Sequence, residues 1–343
     1  MKIYILRRIL LMVPTFIGIT LITFLVTQLV PGGPIEQLQA RHFAVSEEGA
    51  RGTLAQPGMS DRQLSDEDLK VMTAFYGFDK PWYQQYGRWL LRLVRLDLGE
   101  SFRYLTPVST LIASKLPVSI FYGLTSTLMV YAVCIPLGVI KAIKHRTWID
   151  TVSSVLVFVG YAVPPFALGM FLLMMLAARL GLFPLGGFVS DDFDLMPGFW
   201  PKALDVAYHA VLPLTAYMLG SFASMTILMK NAVMENMAAD YVRTALAKGV
   251  SPRRAIFWHA LRNSLIPLAT SFGDNLMLFL SGSFLIEKIF NIDGMGLLGY
   301  TSLIERDYPV VLGILVIGSI LQLMGNLLSD LCVAAVDPRV RFR

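Results

Sequence analysis

Residues 234–267 read MENMAADYVRTALAKGVSPRRAIFWHALRNSLIP, a polar, basic segment set between two strongly apolar ones. Ala238–Lys248 is built from good helix formers, and Gly249 stands where a left-handed cap ends a helix. Ser251 and Pro252 then supply an N-cap and a first-turn proline, so the spacing predicts a second helix that starts at once. Together these signals predict helix, one-glycine elbow, helix: a short knuckle carried on two rigid arms.

The rest of the chain places that knuckle on a membrane protein. Of 343 residues, 55% are hydrophobic and only 15% charged, and mean hydropathy is +0.60. Average soluble domains carry about 25% charged residues. The deficit points to the bilayer, where charge is expensive and spanning helices are apolar all round. The net charge of +5 calls for no nucleic acid, because its distribution is that of basic cytosolic loops. Cys134 and Cys332 fall in apolar segments and read as packing residues, not as a bridge or metal site. With no C-x-x-C, H-E-x-x-H or clustered histidine ligands, no metal or cofactor is expected. Nor is there a G-x-x-x-x-G-K-[ST] loop, so if nucleotide drives this chain a partner must hold it.

Six apolar runs follow in order. Ile9–Val30 is uncharged, too long for a signal-peptide core, and at about 1.5 Å per residue long enough for a ~30 Å hydrocarbon layer. The others are Val118–Ile140, Thr151–Ala178, Ala210–Met229, Ile266–Ile286 and Val310–Ser329. Lysines and arginines gather in Met1–Arg8, Lys141–Asp150, Lys230–Leu265 and the tail, and thin out in Arg179–His209 and Glu287–Pro309. This asymmetry predicts both termini in the cytosol. The expected organisation is a transmembrane helix over 1–30, an external segment over 31–117, and a core of five further helices over 118–343 with its cytosolic loop at 230–265.

The external segment is charge-balanced. Its first part is dominated by Pro, Gly and Ser, GARGTLAQPGMSDRQ (49–63) has no periodicity and reads as loop, and Ser65-Asp66-Glu67-Asp68 opens a helix. Further on, KPWYQQYGRWLLRLVRLDLGESF has helical spacing and reads as an amphipathic helix at the outer interface, with Trp82, Tyr83, Tyr86 and Trp89 as belt residues. A docking surface for an external protein is the alternative. Within the spans, Pro164 and Pro165 must break the hydrogen-bond ladder, and broken helices at membrane depth line cavities or pack on protein. Asp274 is the only acid well inside a span. It is either satisfied locally or a polar point on a translocation path, which with Pro164 and Pro165 completes the candidate path.

DYVRTALAKGVSPRRAIFWHALRNSLIPL (240–268) resembles the cytoplasmic loop of ABC-importer permeases of the dipeptide/oligopeptide/nickel family. MKIYILRRILLMVPTFIGITLITFLVTQLVPGGP, LDLGESFRYLTPVSTLIASKLPVS, GLFPLGG, IERDYPVVLGILVIGS and VDPRVRF resemble family blocks in the same order, so the resemblance covers nearly the whole chain. Set against that family, roughly Glu36–Gln63 looks like an insertion, and this early insertion and the short basic tail are similar to the microcin C/oligopeptide subgroup. The general importer pattern opens with an acid. Here Arg243-Thr244-Ala245 stands in that place, as in the peptide branch, and Leu246 replaces an arginine that relatives often carry. The resemblance implies an all-α, type I importer permease, itself non-catalytic, in the bacterial inner membrane. It implies peptides or peptide-like solutes as cargo. Its implied partners are a second permease in a heterodimer, two cytosolic ATPase subunits and an external solute-binding protein. It further implies that Asp240, Tyr241, Arg243, Thr244, Ala245, Lys248, Gly249, Ser251, Pro252 and Arg253 form the loop that docks on the ATPase. The competing reading from another class is an ion-coupled secondary transporter or channel. Such proteins show intramembrane ionisable relays or paired repeats, and neither is visible here.

Overall fold

The computed structural model describes residues 2–29, 80–280 and 282–336. The insertion over Glu36–Gln63, the helix opening at Ser65 and the tail DPRVRFR lie outside the described residues. The described chain is almost entirely helical. In order it forms α1 (Lys2–Leu29), α2 (Trp82–Val94), α3 (Val108–Ile143), α4 (Trp148–Ala162) and α5 (Pro165–Leu172), which runs into a π-helical segment at Leu173–Arg179. A loop with one 3₁₀ turn (Phe193–Leu195) leads to α6 (Phe199–Ala238) and α7 (Asp240–Ala247). Next come α8 (Pro252–Arg254), a second π segment (Ala255–Ala260), α9 (Leu261–Ser264), α10 (Ile266–Leu280), α11 (Phe284–Ile289), α12 (Met295–Ile304) and α13 (Tyr308–Val336).

Four of these helices, α1, α3, α6 and α13, are single pieces long and apolar enough to cross a membrane. The third apolar run is a bent pair: α4 and α5 with its π segment meet at 93°. Pro164 and Pro165 make that corner. α4 ends at Ala162, Pro164 sits at φ −58°, ψ 134°, and Pro165 takes the first position of α5, where its missing N–H costs no helical bond. The fifth run is also interrupted. α10 has 15 residues, and after it Gly282 takes φ +76°, a left-handed conformation that suits glycine.

Several boundaries differ from expectation. α3 begins ten residues before Val118, with Pro117 and Pro136 inside it, and α6 spans 40 residues instead of beginning at Ala210. The end of the loop expected over Arg179–His209 is therefore helix. Glu287–Pro309, expected as an outer loop, contains α12 and the end of α11.

The chain divides into two compact units, Met1–Met12, Ser114–Leu298 and Gly318–Arg343 in one, Val13–Ala113 and Gly299–Ile317 in the other. The first has its main core around Tyr122, Leu214, Tyr217, Phe290 and Ile292, and a second cluster of Val139, Ala142, Met229, Val233 and Leu268. Gly138 faces Met229 so closely that a Cβ would come within 2.6 Å of its side chain. In the second unit, Phe24 of α1 packs on Tyr86 and Trp89 of α2, with ring centroids 5.5 and 6.0 Å apart. The Tyr86 hydroxyl lies 3.1 Å from Thr20 Oγ1. The four expected belt aromatics thus split: Tyr86 and Trp89 turn inward, Trp82 and Tyr83 outward. Elsewhere in this unit the Asp307 carboxylate accepts from Ser101 Oγ, Phe102 N and Arg103 N, tying the loop before α3 to the start of α13.

Candidate coupling site and membrane-embedded polar residues

The elbow is built by local rules. α6 ends where Ala239 turns extended (ψ 149°), and α7 starts at once with Asp240 in its first turn, a position the helix dipole favours for an acid. α7 closes in a Schellman motif. Gly249 N–H donates to Leu246 O at 2.9 Å and Val250 N–H to Ala245 O at 3.1 Å, with Gly249 at φ +86°. Ser251 has extended N-cap geometry and its carbonyl accepts from Ala255 N at 2.9 Å, with Pro252 first in α8. Its side chain makes no capping bond, so only the backbone half of the expected cap is present. The second arm is then not a plain α-helix: it widens into the π segment before α9.

Burial holds the two arms together. Val242 (2% exposed) meets Ala255 (1%) and Ala260 (0%), with Met237, Tyr241 and Val250 packed around them. Ser264 Oγ, fully buried, donates to Ala260 O (2.7 Å) and also approaches Ala232 O (3.1 Å), so the end of the second arm sits against α6. Tyr241 Oη donates to Asn236 Oδ1 at 2.5 Å. The face left open carries the other expected residues: Asp240, Arg243, Thr244, Lys248, Gly249, Ser251, Pro252 and Arg253 are exposed, and Ala245 is half-buried. Arg243 lies 3.8 Å from Asp240, both largely in solvent, a pair worth little energetically. Phe257 and Trp258, 54% and 73% exposed, extend this face along the π segment. The sequence reading passed over both, although an aromatic pair in a basic loop is itself a signal.

At the root of the elbow lies an ionic cluster that sequence reasoning missed. Lys230 Nζ reaches Asp150 Oδ1 and Oδ2 at 2.7 and 2.8 Å. Lys141, 1% exposed, lies 3.2 Å from the same carboxylate and donates to Ser154 Oγ, Ser153 Oγ and Asp150 O at 2.7, 2.9 and 3.1 Å. His145 Nδ1 is 3.1 Å from Asp150 Oδ2, and Arg146 N donates to it at 3.2 Å. Burial pushes the Asp150 carboxyl up. The donors Lys230, Arg146 N–H, His145 and Lys141 outweigh it and hold the group well below the usual carboxylate range. This cluster bolts the ends of α3 and α4 to the part of α6 that leads into the elbow. The sequence showed only lysines and an acid at span ends, where topology alone accounts for them.

A second missed group is Glu287. It stands in the segment Glu287–Pro309, expected on the outer side of the membrane, and is 2% exposed. Its Oε2 accepts from Leu297 N at 2.6 Å, and its Oε1 accepts from Gly296 N at 3.4 Å and Tyr217 Oη at 3.2 Å, so it caps the first turn of α12. Three glycines make room for it: a Cβ on Gly282, Gly294 or Gly296 would come within 2.2, 2.8 or 3.0 Å of the carboxylate.

Of the candidate path residues, Pro164 and Pro165 form the corner described above. Asp274 lies on α10 and is exposed, accepting from Gln322 Nε2 of α13 at 3.1 Å. The structure does not bring Asp274 together with the prolines into one described site.

Comparison with known proteins bears on all three features. Residues 134–342 match the family described as binding-protein-dependent transport system inner membrane component. This chain belongs to that family. The matched region contains the elbow, the Asp150 cluster, Glu287 and Asp274. Among relatives, it is 38% identical to the "Inner membrane ABC transporter permease protein YejB" of Escherichia coli O157:H7, across 99% of this chain and 98% of that protein. It is 34% identical to the "Oligopeptide transport system permease protein AppB" of Bacillus subtilis strain 168, across the full length of both, and 33% identical to the "Dipeptide transport system permease protein DppB" of Escherichia coli K12, across 99% of each. Among solved structures, an inward-facing form of the MetNI methionine ABC transporter superposes with a TM-score of 0.51. It covers 67% of this chain and 97% of that one at 16% identity, a likeness of fold.

Proposed function

We propose that this chain is the permease subunit of an ATP-driven importer of peptides or peptide-like solutes. It works with a second permease, two cytosolic ATPase subunits and an external solute-binding protein. Full-length similarity to relatives named for oligopeptide and dipeptide transport supports the cargo class, and the family name supports the external partner. In this reading the chain crosses the bilayer six times with both termini inside. α4–α5 forms one bent span and α10–α11 one interrupted span, and the segment over 31–117 lies outside. The chain carries out no covalent chemistry. Closing of the ATPases displaces the elbow, and the membrane helices exchange inward- and outward-facing states. ATP drives the exchange because it binds one state better than the other.

The observation that carries this reading is the Gly249 elbow itself, its buried side clamped by Val242, Ala255 and Ser264 and its exposed side polar and aromatic. A rigid, well-capped knuckle with an uncovered face is what a partner groove needs to push on. The test is uptake of tri-alanine by the complex reconstituted in vesicles. Wild type should take it up in an ATP-dependent way. Gly249→Val and Ala245→Trp should both abolish uptake and substrate-stimulated ATP hydrolysis while assembly persists. Normal coupled uptake in both variants would sink the reading.

A further inference from the structure

The exposed residues of α10 have an unusual character for a membrane helix. Between Leu268 and Met277 only Thr270 and Asp274 are exposed, one turn apart; Thr270 Oγ1 donates to Ile266 O at 3.0 Å, so the Asp274 carboxylate is the group that lipid cannot satisfy. A helix face against hydrocarbon exposes apolar side chains, because lipid offers polar groups no partner. α13 carries the matching half. Gln322, the central residue of Tyr308–Val336, donates to Asp274 Oδ1 at 3.1 Å and to Asn326 Oδ1 at 3.3 Å. A helix of 29 residues is about 43 Å long, so its central residue lies near the bilayer midplane.

α13 also distinguishes its own two sides. In the part of α13 after Gly318, at about 100° per residue, Gln322 and Asn326 share one side, while the exposed Ile320, Met324 and Leu331 share the opposite one. The apolar side suits lipid, which leaves the amide side for something wet. The crossing of the two helices places this side beside Asp274. Gly273 meets Gly325 so tightly that a Cβ on Gly273 would lie 1.8 Å from Gly325 O, and Gly273 N donates to Ser329 Oγ at 2.9 Å. The carboxylate therefore stands next to a fixed backbone contact, with its bond to Gln322 set by that crossing.

Among the described residues, no lysine, arginine or histidine pairs with Asp274. Amide dipoles stabilise a carboxylate but do not neutralise it, and at membrane depth the missing complement is a cation. We propose that Asp274, with Gln322 and Asn326, is a cation-attracting subsite on the solute path that holds the ammonium group of a peptide in transit. This rests on the importer reading above, since an α-ammonium is the cation that every unblocked peptide carries. The neutral amides beside the carboxylate keep the hold shallow enough for release.

The test uses the full transporter complex in a Cys134→Ser, Cys332→Ser background, with Gln322→Cys as the reporter and Ser251→Cys as a reactive control. Labelling is measured both without nucleotide and with ATP plus vanadate. A cationic methanethiosulfonate should modify Gln322→Cys about tenfold faster than an anionic one in at least one state. Adding Asp274→Asn should bring the two rates within about twofold. Millimolar tri-alanine should slow labelling only while the carboxylate is present. Should neither reagent react in either state while Ser251→Cys reacts, the stripe is covered by protein or lipid and the proposal fails. Equal rates with Asp274 intact, or a cation preference that survives Asp274→Asn, overturn it as well. ATP-dependent uptake of tri-alanine by wild type is measured in parallel. Its absence sinks the importer reading, whereas the labelling ratios judge the subsite alone.

Discussion

Lys230 Nζ grips both oxygens of Asp150, at 2.7 and 2.8 Å, across 80 residues of chain. The lysine opens the basic segment that carries the elbow, and the acid lies in the first turn of α4. Asp150→Asn leaves Lys141, 1% exposed, without its counter-charge. Removing one partner of a buried pair costs about 3 kcal/mol, which should lower the melting temperature of the purified complex by about 5–10 °C. Coupled ATP hydrolysis should fall more than binding of the ATPase. The Asp150 carboxyl is depressed in the folded state, so its stabilising effect is complete above the ordinary carboxylate pKa of ~3.9 and is lost as pH falls through the lower folded value. Melting between about pH 5 and 8 should therefore show no dependence on this acid. A wild-type curve that loses its difference from Asp150→Asn within that window would contradict the assignment.

Gly249 should respond in grades. At φ +86° asparagine is tolerated better than alanine, and alanine better than a β-branched side chain, with strain of about 1 kcal/mol or more for the latter two. No atom lies within 4 Å of a Cβ built there, so the effect is purely conformational. Uptake at matched expression should fall in the order Gly249→Asn, Gly249→Ala, Gly249→Val. An alanine variant more active than the asparagine variant would show that backbone handedness is not what matters.

The helix crossing at Gly273 should be intolerant of a single methyl group. Gly273→Ala places a Cβ on the Gly325 backbone, whereas Gly318→Ala on the same α13 meets nothing within 4 Å. The first should cost about 1–3 kcal/mol by overpacking and lower the yield of assembled complex, and the second should be silent. Thermal melting and gel filtration of the two variants side by side decide the matter.

The Glu287 cradle should be equally strict. Gly294→Ala pushes a methyl group into the carboxylate, and Glu287→Ala removes the carboxylate that accepts from Leu297 N–H and Tyr217 Oη. Each loss of a buried hydrogen-bond partner costs about 1–3 kcal/mol, so both variants should melt several degrees below wild type. A wild-type melting curve for Glu287→Ala would show that the carboxylate does not hold α12.

Orientation can be read by labelling cysteine-replaced variants in intact cells with an impermeant thiol reagent. Leu195→Cys, at an 85% exposed position in the loop before α6, should react directly. Ser251→Cys should react only after the inner face is opened. The reverse pattern would invert the topology inferred from charge.

What was legible in the sequence was what depends on neighbours in the chain. Gly249, Ser251-Pro252 and Pro164-Pro165 act through their own dihedral angles, and the structure places an elbow and a corner where they stand. Asp274 was legible because charge inside an apolar run is conspicuous. Its partner Gln322 was not, since an uncharged amide in a span raises no such signal. Lys141, Asp150 and Lys230 were visible only as topology charges. Their meeting depends on how α3, α4 and α6 pack, which local spacing does not encode. The burial of Glu287 was not legible, because a glycine-rich, charged stretch reads as surface, whereas here the glycines make room for a buried acid. The π segments had no recognisable signature.

The corner at Pro164–Pro165 sets what α4 can do with a push received at its first turn. Two consecutive prolines fix two successive φ values, so the 93° corner has fewer free dihedral angles than an ordinary helix break. The arm beyond it, Pro165–Arg179, is 15 residues long, or about 20 Å. If α4 rolls about its own axis by about 10°, the far end of that arm sweeps about 3–4 Å sideways. A roll of that size would become a stroke comparable with the width of a water molecule.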